Sequence, residues 1–199
     1  MRIGVLALQG DFAEHAAALR RIGVEPVEVR LPAQLATLDA LIIPGGESTT
    51  ITILLDIYEM REPIKRVGRQ GLPIWGTCAG AIVLAKQATD LDRPNLELMD
   101  IDVRRNAFGR QVDSFEADLD VADMDGGTFH AVFIRAPSIE RAGAAVAPLA
   151  KLEDGTIVAA REGRLLATVF HPELTGDDRF HRLLVELARA YRRERTASK

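Results

Sequence analysis

The 199-residue chain contains a single cysteine, Cys78, so no internal disulfide can form. One lone thiol fits a reducing compartment. The sequence also lacks an apolar run of membrane-spanning length and a basic segment ahead of its first apolar stretch. The expectation is a cytoplasmic protein with no membrane partner. Positive charge is not in excess: 25 Lys and Arg against 29 Asp and Glu give a net charge of −4. Nothing there attracts a phosphate backbone, so no nucleic-acid partner is expected. The basic cluster of Arg192, Arg193 and Arg195 reads as the solvated end of a helix, where cations suit the dipole. Internal repeats, linkers and low-complexity segments are missing. So is any cluster with metal-ligand spacing, and neither a metal nor a cofactor is expected.

What is present is an ordinary globular composition, 47% hydrophobic and 27% charged, on a length that suits one domain. That domain is expected over residues 1–192, followed by a polar tail at 193–199. The first eight residues are almost continuously apolar after Arg2, as in a strand buried on both faces of a parallel sheet. Asp11 and Glu14 form a capping-box pattern for a helix that runs to Gly23. Short strands follow at 26–29 and 38–43. Ser48 reads as the N-cap of the next helix, with Ile51, Leu54, Leu55 and Tyr58 on its buried face. A strand at 72–75 and a helix at about 79–86 continue the alternation. From Leu96 the pattern turns to half-exposed strands at 101–103, 115–121 and 129–134, with further strands at 144–152, 156–160 and 165–170. A last amphipathic helix carries Phe180, Leu183, Leu184, Leu187 and Tyr191 on one face. This order predicts an α/β fold: a single-domain, doubly wound, mostly parallel, flavodoxin-like sheet with helices on both faces.

The chemistry centres on Gly76-Thr77-Cys78-Ala79-Gly80, which follows the apolar run Leu72-Pro73-Ile74-Trp75. G-x-C-x-G is the sulfur form of the nucleophile elbow, a sharp strand-to-helix turn that lifts one side chain above a sheet. A lone cysteine is more often a small buried hydrophobe, but small residues on both sides relieve the crowding of such a turn. A helix starting there favours a thiolate. The thiolate needs a base, and the base needs an orienting group. Phe170-His171-Pro172-Glu173 supplies both, with His171 and Glu173 two residues apart on an extended segment. The remaining histidines, His15, His130 and His181, have no comparable setting and read as structural. Pro44-Gly45-Gly46-Glu47-Ser48 is a strand-to-helix turn with unobstructed backbone N–H groups. An N–H from it, with that of Ala79, would serve as an oxyanion hole. No Gly-Lys-Ser/Thr follows, which excludes a phosphate loop.

Gly-Thr-Cys-Ala-Gly, the late His-Pro-Glu and the earlier Pro-Gly-Gly-Glu-Ser together resemble the class I, triad-type glutamine amidotransferases. Leu8-Gln9-Gly10-Asp11, the stretch from Arg105 to Glu116, and Phe133-Ile134-Arg135-Ala136-Pro137 narrow the resemblance to the glutaminase subunits of pyridoxal 5′-phosphate synthases. It covers the chain from about Arg2 to Tyr191. The resemblance implies hydrolysis of L-glutamine to glutamate and ammonia. Cys78 would be the nucleophile, His171 the general base and then acid, and Glu173 its orienting carboxylate. It further implies glutamine binding by Gly46, Glu47, Ser48, Arg105, Ile134 and Arg135, and an oxyanion hole from Gly46 and Ala79, with Gln9 and Gly10 as further contributors through a loop that partner docking rearranges. The partner it implies is a separate (β/α)₈-barrel synthase subunit that receives the ammonia for vitamin B6 biosynthesis. Three alternatives stay open at this point: a glutaminase for another pathway, an autonomous γ-glutamyl hydrolase, and a non-catalytic regulatory subunit.

Overall fold

The computed structural model describes residues 1–107 and 114–197. Strands β1 (Ile3–Leu6), β3 (Ala40–Ile43) and β4 (Ile74–Thr77) are buried along their whole length. That is the signature of parallel strands covered on both faces. With β2 (Pro26–Val29) and β12 (Leu165–Thr168) they form a five-stranded parallel array in the order β2-β1-β3-β4-β12. The array continues through antiparallel strands β11 (Ile157–Glu162), β9 (Ser138–Ala142) and β6 (Met99–Arg104), and ends on β5 (Ala85–Ala88), which is parallel to β6. β10 (Ala147–Lys151) pairs with β11, and β7 (Ser114–Leu119) pairs with β8 (Phe129–Ile134) as a separate two-stranded ribbon. The expected mixed α/β architecture is therefore present, with the parallel part built from the first half of the chain plus one late strand.

The flanking helices are α1 (Phe12–Arg21), α2 (Pro32–Leu35), α3 (Ser48–Ile57), α4 (Arg61–Arg69), α5 (Ala79–Leu84) and α6 (Arg179–Ala197). None among the described residues is long and apolar enough to cross a membrane. Trp75 on β4 stacks on Phe180 of α6 at 6.0 Å, and Phe180 meets Phe129 and Phe170 edge-on. These large rings tie the parallel array to the ribbon and the last helix, and together they bury much of the apolar area that stabilises the fold.

Several local expectations are corrected. Asp11 occupies the N-cap position of α1 but makes no side-chain cap bond, because its carboxylate turns to His171. Glu47, not Ser48, caps α3, accepting from the amides of Thr49 and Thr50. Tyr58, expected on the buried face of α3, is 45% exposed, while Thr52 is buried there beside Ile51 and Leu55. The helix at the elbow stops at Leu84 rather than Lys86, and Ala85 begins β5. The chain from 193 to 197 is no tail: it continues α6, and Arg195 bonds Asp39 and the Leu38 carbonyl. Helices α2 and α4 and strand β9 add to the elements that the sequence pattern predicts.

Candidate active site

The carboxyl ends of β1, β3, β4 and β12 are neighbours in the sheet, so four loops open at one edge. Open α/β sheets bind ligands there. The β4 loop is the elbow. Cys78 has φ 47° and ψ −107°, a region that costs a non-glycine residue on the order of 1–3 kcal/mol and persists only when its surroundings enforce it. They do so here. The Cys78 amide donates to Thr168 O of β12 at 2.8 Å, and its carbonyl accepts from Ala81 and Ile82. Gly80 lies so close to the β3 loop that an added Cβ would stand 1.9 Å from Ile43 O. Glycine at this position follows from that approach.

The β12 loop brings His171 to the same edge, its amide bonded to Val132 O of β8. Pro172 opens a short 3₁₀ turn, and the chain folds back so that His171 Nδ1 meets Glu173 Oε1 at 2.8 Å. Both side chains are buried. With Nδ1 on the carboxylate, the other ring nitrogen is left for Cys78, whose thiol interacts with the imidazole. Asp11 Oδ2 lies 3.4 Å from the same Nδ1. Burial disfavours the charged imidazole, but the bonds to Asp11, Cys78 and Glu173 outweigh it and drive the His171 pKa well above 6.5. Burial raises the Glu173 carboxyl, against the pull of His171. His171 is thus arranged to hold a proton beside the sulfur.

A cleft of about 450 Å³ opens above the sulfur. Gly46, Glu47, Ser48, Arg105, Ile134 and Arg135 all line it, as do Cys78, Ala79, His171 and Gln9. Gly10 does not line it, its backbone being packed against Gly45 O. Gln9 Oε1 accepts the Glu47 amide at 2.9 Å, which joins the β1 and β3 loops. Arg105 reaches Glu47 Oε1 at 3.2 Å and Thr49 Oγ1 at 3.4 Å, and bonds the Asp90 carbonyl. Although burial pulls the Glu47 carboxyl up, hydrogen bonds from Thr50 and Thr49 hold it below its ordinary range. An arginine and an ionised glutamate therefore stand together on one wall, opposite charges suited to the two ends of an amino-acid head group. Arg135 has φ 42°, a second strained point on the rim, and Ala107 bonds Ala136 O to draw the Arg105 segment against it. The remainder of the stretch behind the resemblance, Phe108 to Asp113, lies outside the described residues.

A model of the SNO glutamine amidotransferase family matches residues 5–189. The chain belongs to this family. It is 60% identical over 194 residues to "Pyridoxal 5′-phosphate synthase subunit PdxT" of Dehalococcoides mccartyi strain 195, covering 96% of this chain and 100% of the relative. The protein of the same name from Chloroflexus aggregans is 60% identical over 190 residues, covering 94% and 100%. That of Frankia alni is 56% identical over 191 residues, covering 95% and 96%. Among solved structures, one described as a glutamine amidotransferase superposes with a TM-score of 0.89 at 50% identity, over 94% of this chain and 98% of that one. The structure of PurLQS from Thermotoga maritima shares the fold at a TM-score of 0.70 and 15% identity, over 93% of this chain and 97% of that one.

Three features of the site do not show in the local sequence. The pattern places Asp11 at a helix cap, yet it faces His171. Thr49 stands in no motif, yet it holds both Glu47 and Arg105. His15, which reads as structural, is 3.4 Å from Glu173 Oε2. The one available signal for His15 is its i, i+4 spacing from Asp11, which sets both on the side of α1 that meets the triad. Among the described residues, one group of carboxylates and imidazole could hold an ion: Asp11, His171 and Glu173, with ligand atoms within 4.8 Å of one another. His171 and Glu173 already use these atoms on each other, and an ionic hydrogen bond accounts for the arrangement.

Proposed function

We infer that this chain is the glutamine-hydrolysing subunit of a pyridoxal 5′-phosphate synthase, acting through Cys78, His171 and Glu173. The observation that carries this is the elbow: a strained cysteine beside a buried imidazole that is held by a carboxylate at 2.8 Å. The relatives named as synthase subunits supply the pathway.

In the proposed sequence, the thiol proton of Cys78 passes to His171 as general base, and Sγ attacks the side-chain carbonyl carbon of glutamine to form the carbon–sulfur bond. Charge passes to the carbonyl oxygen, which the amides of Ala79 and Gly46 receive. Ala79 begins a helix, so its N–H has no intrahelical acceptor and is free for this use. Collapse of the intermediate breaks the carbon–nitrogen bond while His171 gives its proton to the departing nitrogen as ammonia. Water then loses a proton to His171 and attacks the thioester. The carbon–sulfur bond breaks and glutamate leaves. Glu173 holds the imidazole in one tautomer and stabilises its charged form.

Glutamine would be held by its head group on the Arg105–Glu47 wall, with Ser48, Ile134 and Arg135 closing around it. The ammonia would pass to a separate barrel-fold synthase subunit, since free ammonia in water protonates and ceases to be a nucleophile. On this reading, docking of that subunit would reset the loop that carries Gln9 and Gly10 and so complete the oxyanion hole.

The direct test is covalent trapping. Incubation with 6-diazo-5-oxo-L-norleucine, a reactive glutamine analogue, should add one norleucine-derived mass to the peptide containing Cys78 and none to Cys78→Ala. Labelling elsewhere, or none in the presence of the synthase subunit, would overturn the assignment.

A further inference from the structure

Behind the triad runs a row of buried polar groups that the reaction sequence above leaves unused. His15 on α1 is fully buried. Its Nδ1 is 3.0 Å from His181 Nε2 on α6, and its Nε2 is 3.0 Å from Thr77 Oγ1, one residue before the nucleophile. The same Nε2 lies 3.4 Å from Glu173 Oε2, the carboxylate oxygen turned away from His171. Trp75 walls the row, with its ring 5.4 Å from His15 and 5.0 Å from His181. Two buried atoms of the row have no aligned hydrogen-bond partner among the described residues: Glu173 Oε2 and His181 Nδ1.

Those two atoms decide where the protons sit. A neutral imidazole has one N–H and one bare nitrogen. With its proton on Nδ1, His181 would bury an N–H that has no acceptor. His15 would then have to donate from Nδ1 and turn a lone pair on Nε2 toward the Glu173 carboxylate. Both faults are of the expensive kind, a buried group left unpaired and like charge facing like. With protons on Nε2 of both rings, neither fault arises. His181 Nε2–H donates to His15 Nδ1, and His15 Nε2–H points between Thr77 Oγ1 and Glu173 Oε2. The residual cost is a bare nitrogen on His181.

We propose that His15 is a positioning residue for the triad. Its Nε2–H, bonded to the Thr77 hydroxyl and standing 3.4 Å from Glu173 Oε2, favours the ionised carboxylate electrostatically and keeps it seated so that Oε1 stays on His171 Nδ1. The row then runs in one sense from α6 to the sulfur: His181, His15, Glu173, His171, Cys78. This rests on the triad assignment above and deepens it.

Both outer rings are suited to a neutral role. Burial, reinforced by His181 and His171, lowers the His15 pKa far below 6.5, and burial takes His181 down to about 4. The charged groups facing the row are His171 and Asp11 toward Glu173, and Asp178 and Arg21 toward His181. Loss of the His15 donor leaves the Glu173 carboxylate less supported, so its already raised pKa rises further. The acid limb of kcat/KM, where Glu173 must be ionised, then moves to higher pH.

The test uses the full chain in complex with its synthase partner, and glutamine as substrate. His15→Leu should lower kcat by about tenfold, the low end of what losing a donor beside a charged group costs, because the 3.4 Å contact is not an aligned hydrogen bond. KM should stay within about twofold, because no glutamine contact is lost. The acid limb should shift upward, and His15→Gln, which restores an N–H near Nε2, should recover part of both losses. Independently of any variant, ¹⁵N spectra of histidine-labelled wild-type chain should show His15 and His181 neutral with the proton on Nε2. A His15 that carries its proton on Nδ1 would overturn the proposal. So would a His15→Leu enzyme with unchanged kcat and pH profile, or a His15→Gln enzyme no better than His15→Leu. Cys78→Ala and Glu173→Gln separate the two failures. If they retain activity the triad itself is wrong, whereas if they lose it and His15→Leu does not, only the positioning role fails.

Discussion

At Gly80 an added Cβ would lie 1.9 Å from a backbone oxygen, and backbone cannot swing aside as a side chain can. Gly80→Ala must therefore push the β3 loop away from the elbow. The expected cost is that of overpacking, about 1–3 kcal/mol in urea unfolding, with glutaminase activity falling alongside. An alanine variant as stable and active as the parent would show that elbow and loop are not locked together. Protonation gives a second residue-scale prediction. His181 has its pKa lowered from 6.5 to about 4, so between these values the unfolded chain binds the proton that the folded chain refuses. Stability from this group is present above pH 6.5 and is lost as pH falls toward 4. Wild type should lose unfolding free energy more steeply over that window than His181→Gln, and parallel curves would refute the burial argument. The roles proposed for Cys78, His171 and Glu173 can be read from residue type and spacing because these residues stand in compact motifs. The role of His15 cannot, because its partners Thr77, Glu173 and His181 are 62 to 166 positions away and only the folded sheet brings them together.

Helix α3 shows how one element both builds and orders the cleft. Its cap, Glu47, accepts two amides of its first turn while also receiving Arg105. Glu47→Ala should cost about 0.5–2 kcal/mol of stability through the lost cap. It should also raise KM for glutamine, because Arg105 loses its anchor. Thermal unfolding and steady-state kinetics on one preparation would test this, and an unchanged KM would place the head group elsewhere. Element by element, legibility follows burial. The parallel strands are visible as continuous apolar runs, and α6 as a stripe of period 3.6. Helix α4 escapes notice because Arg61–Arg69 buries only Ile64 and carries Pro63 and Gly68 within it. The end of α5 is hard to place because all six of its residues are buried, leaving no periodic face to mark where it stops. The two cap corrections differ in cause: Asp11 turns to His171 in place of its helix terminus, whereas Glu47, one position before Ser48, serves the terminus and Arg105 at once.

At the scale of the whole molecule, the fold gathers the ends of β1, β3, β4 and β12 at one edge and leaves a cleft that opens outward above the sulfur. Its parallel half can be anticipated from the strand–helix alternation. The insertion of β12 beside β4 cannot, since it pairs residues about ninety positions apart. That pairing matters most, because it is what carries His171 to Cys78. The same edge holds the Gln9 loop, so a synthase subunit seated there would touch substrate, loop and triad together. If the synthase subunit docks at that edge, as proposed, hydrolysis is expected to be coupled to assembly. The decisive measurement is ammonia release from glutamine by the purified chain, alone and with a barrel-type pyridoxal 5′-phosphate synthase subunit, with Cys78→Ala as control. Release that rises when the synthase subunit is added and vanishes in Cys78→Ala is the expected result. Release that persists in Cys78→Ala, or that is absent even with the synthase subunit, would contradict it.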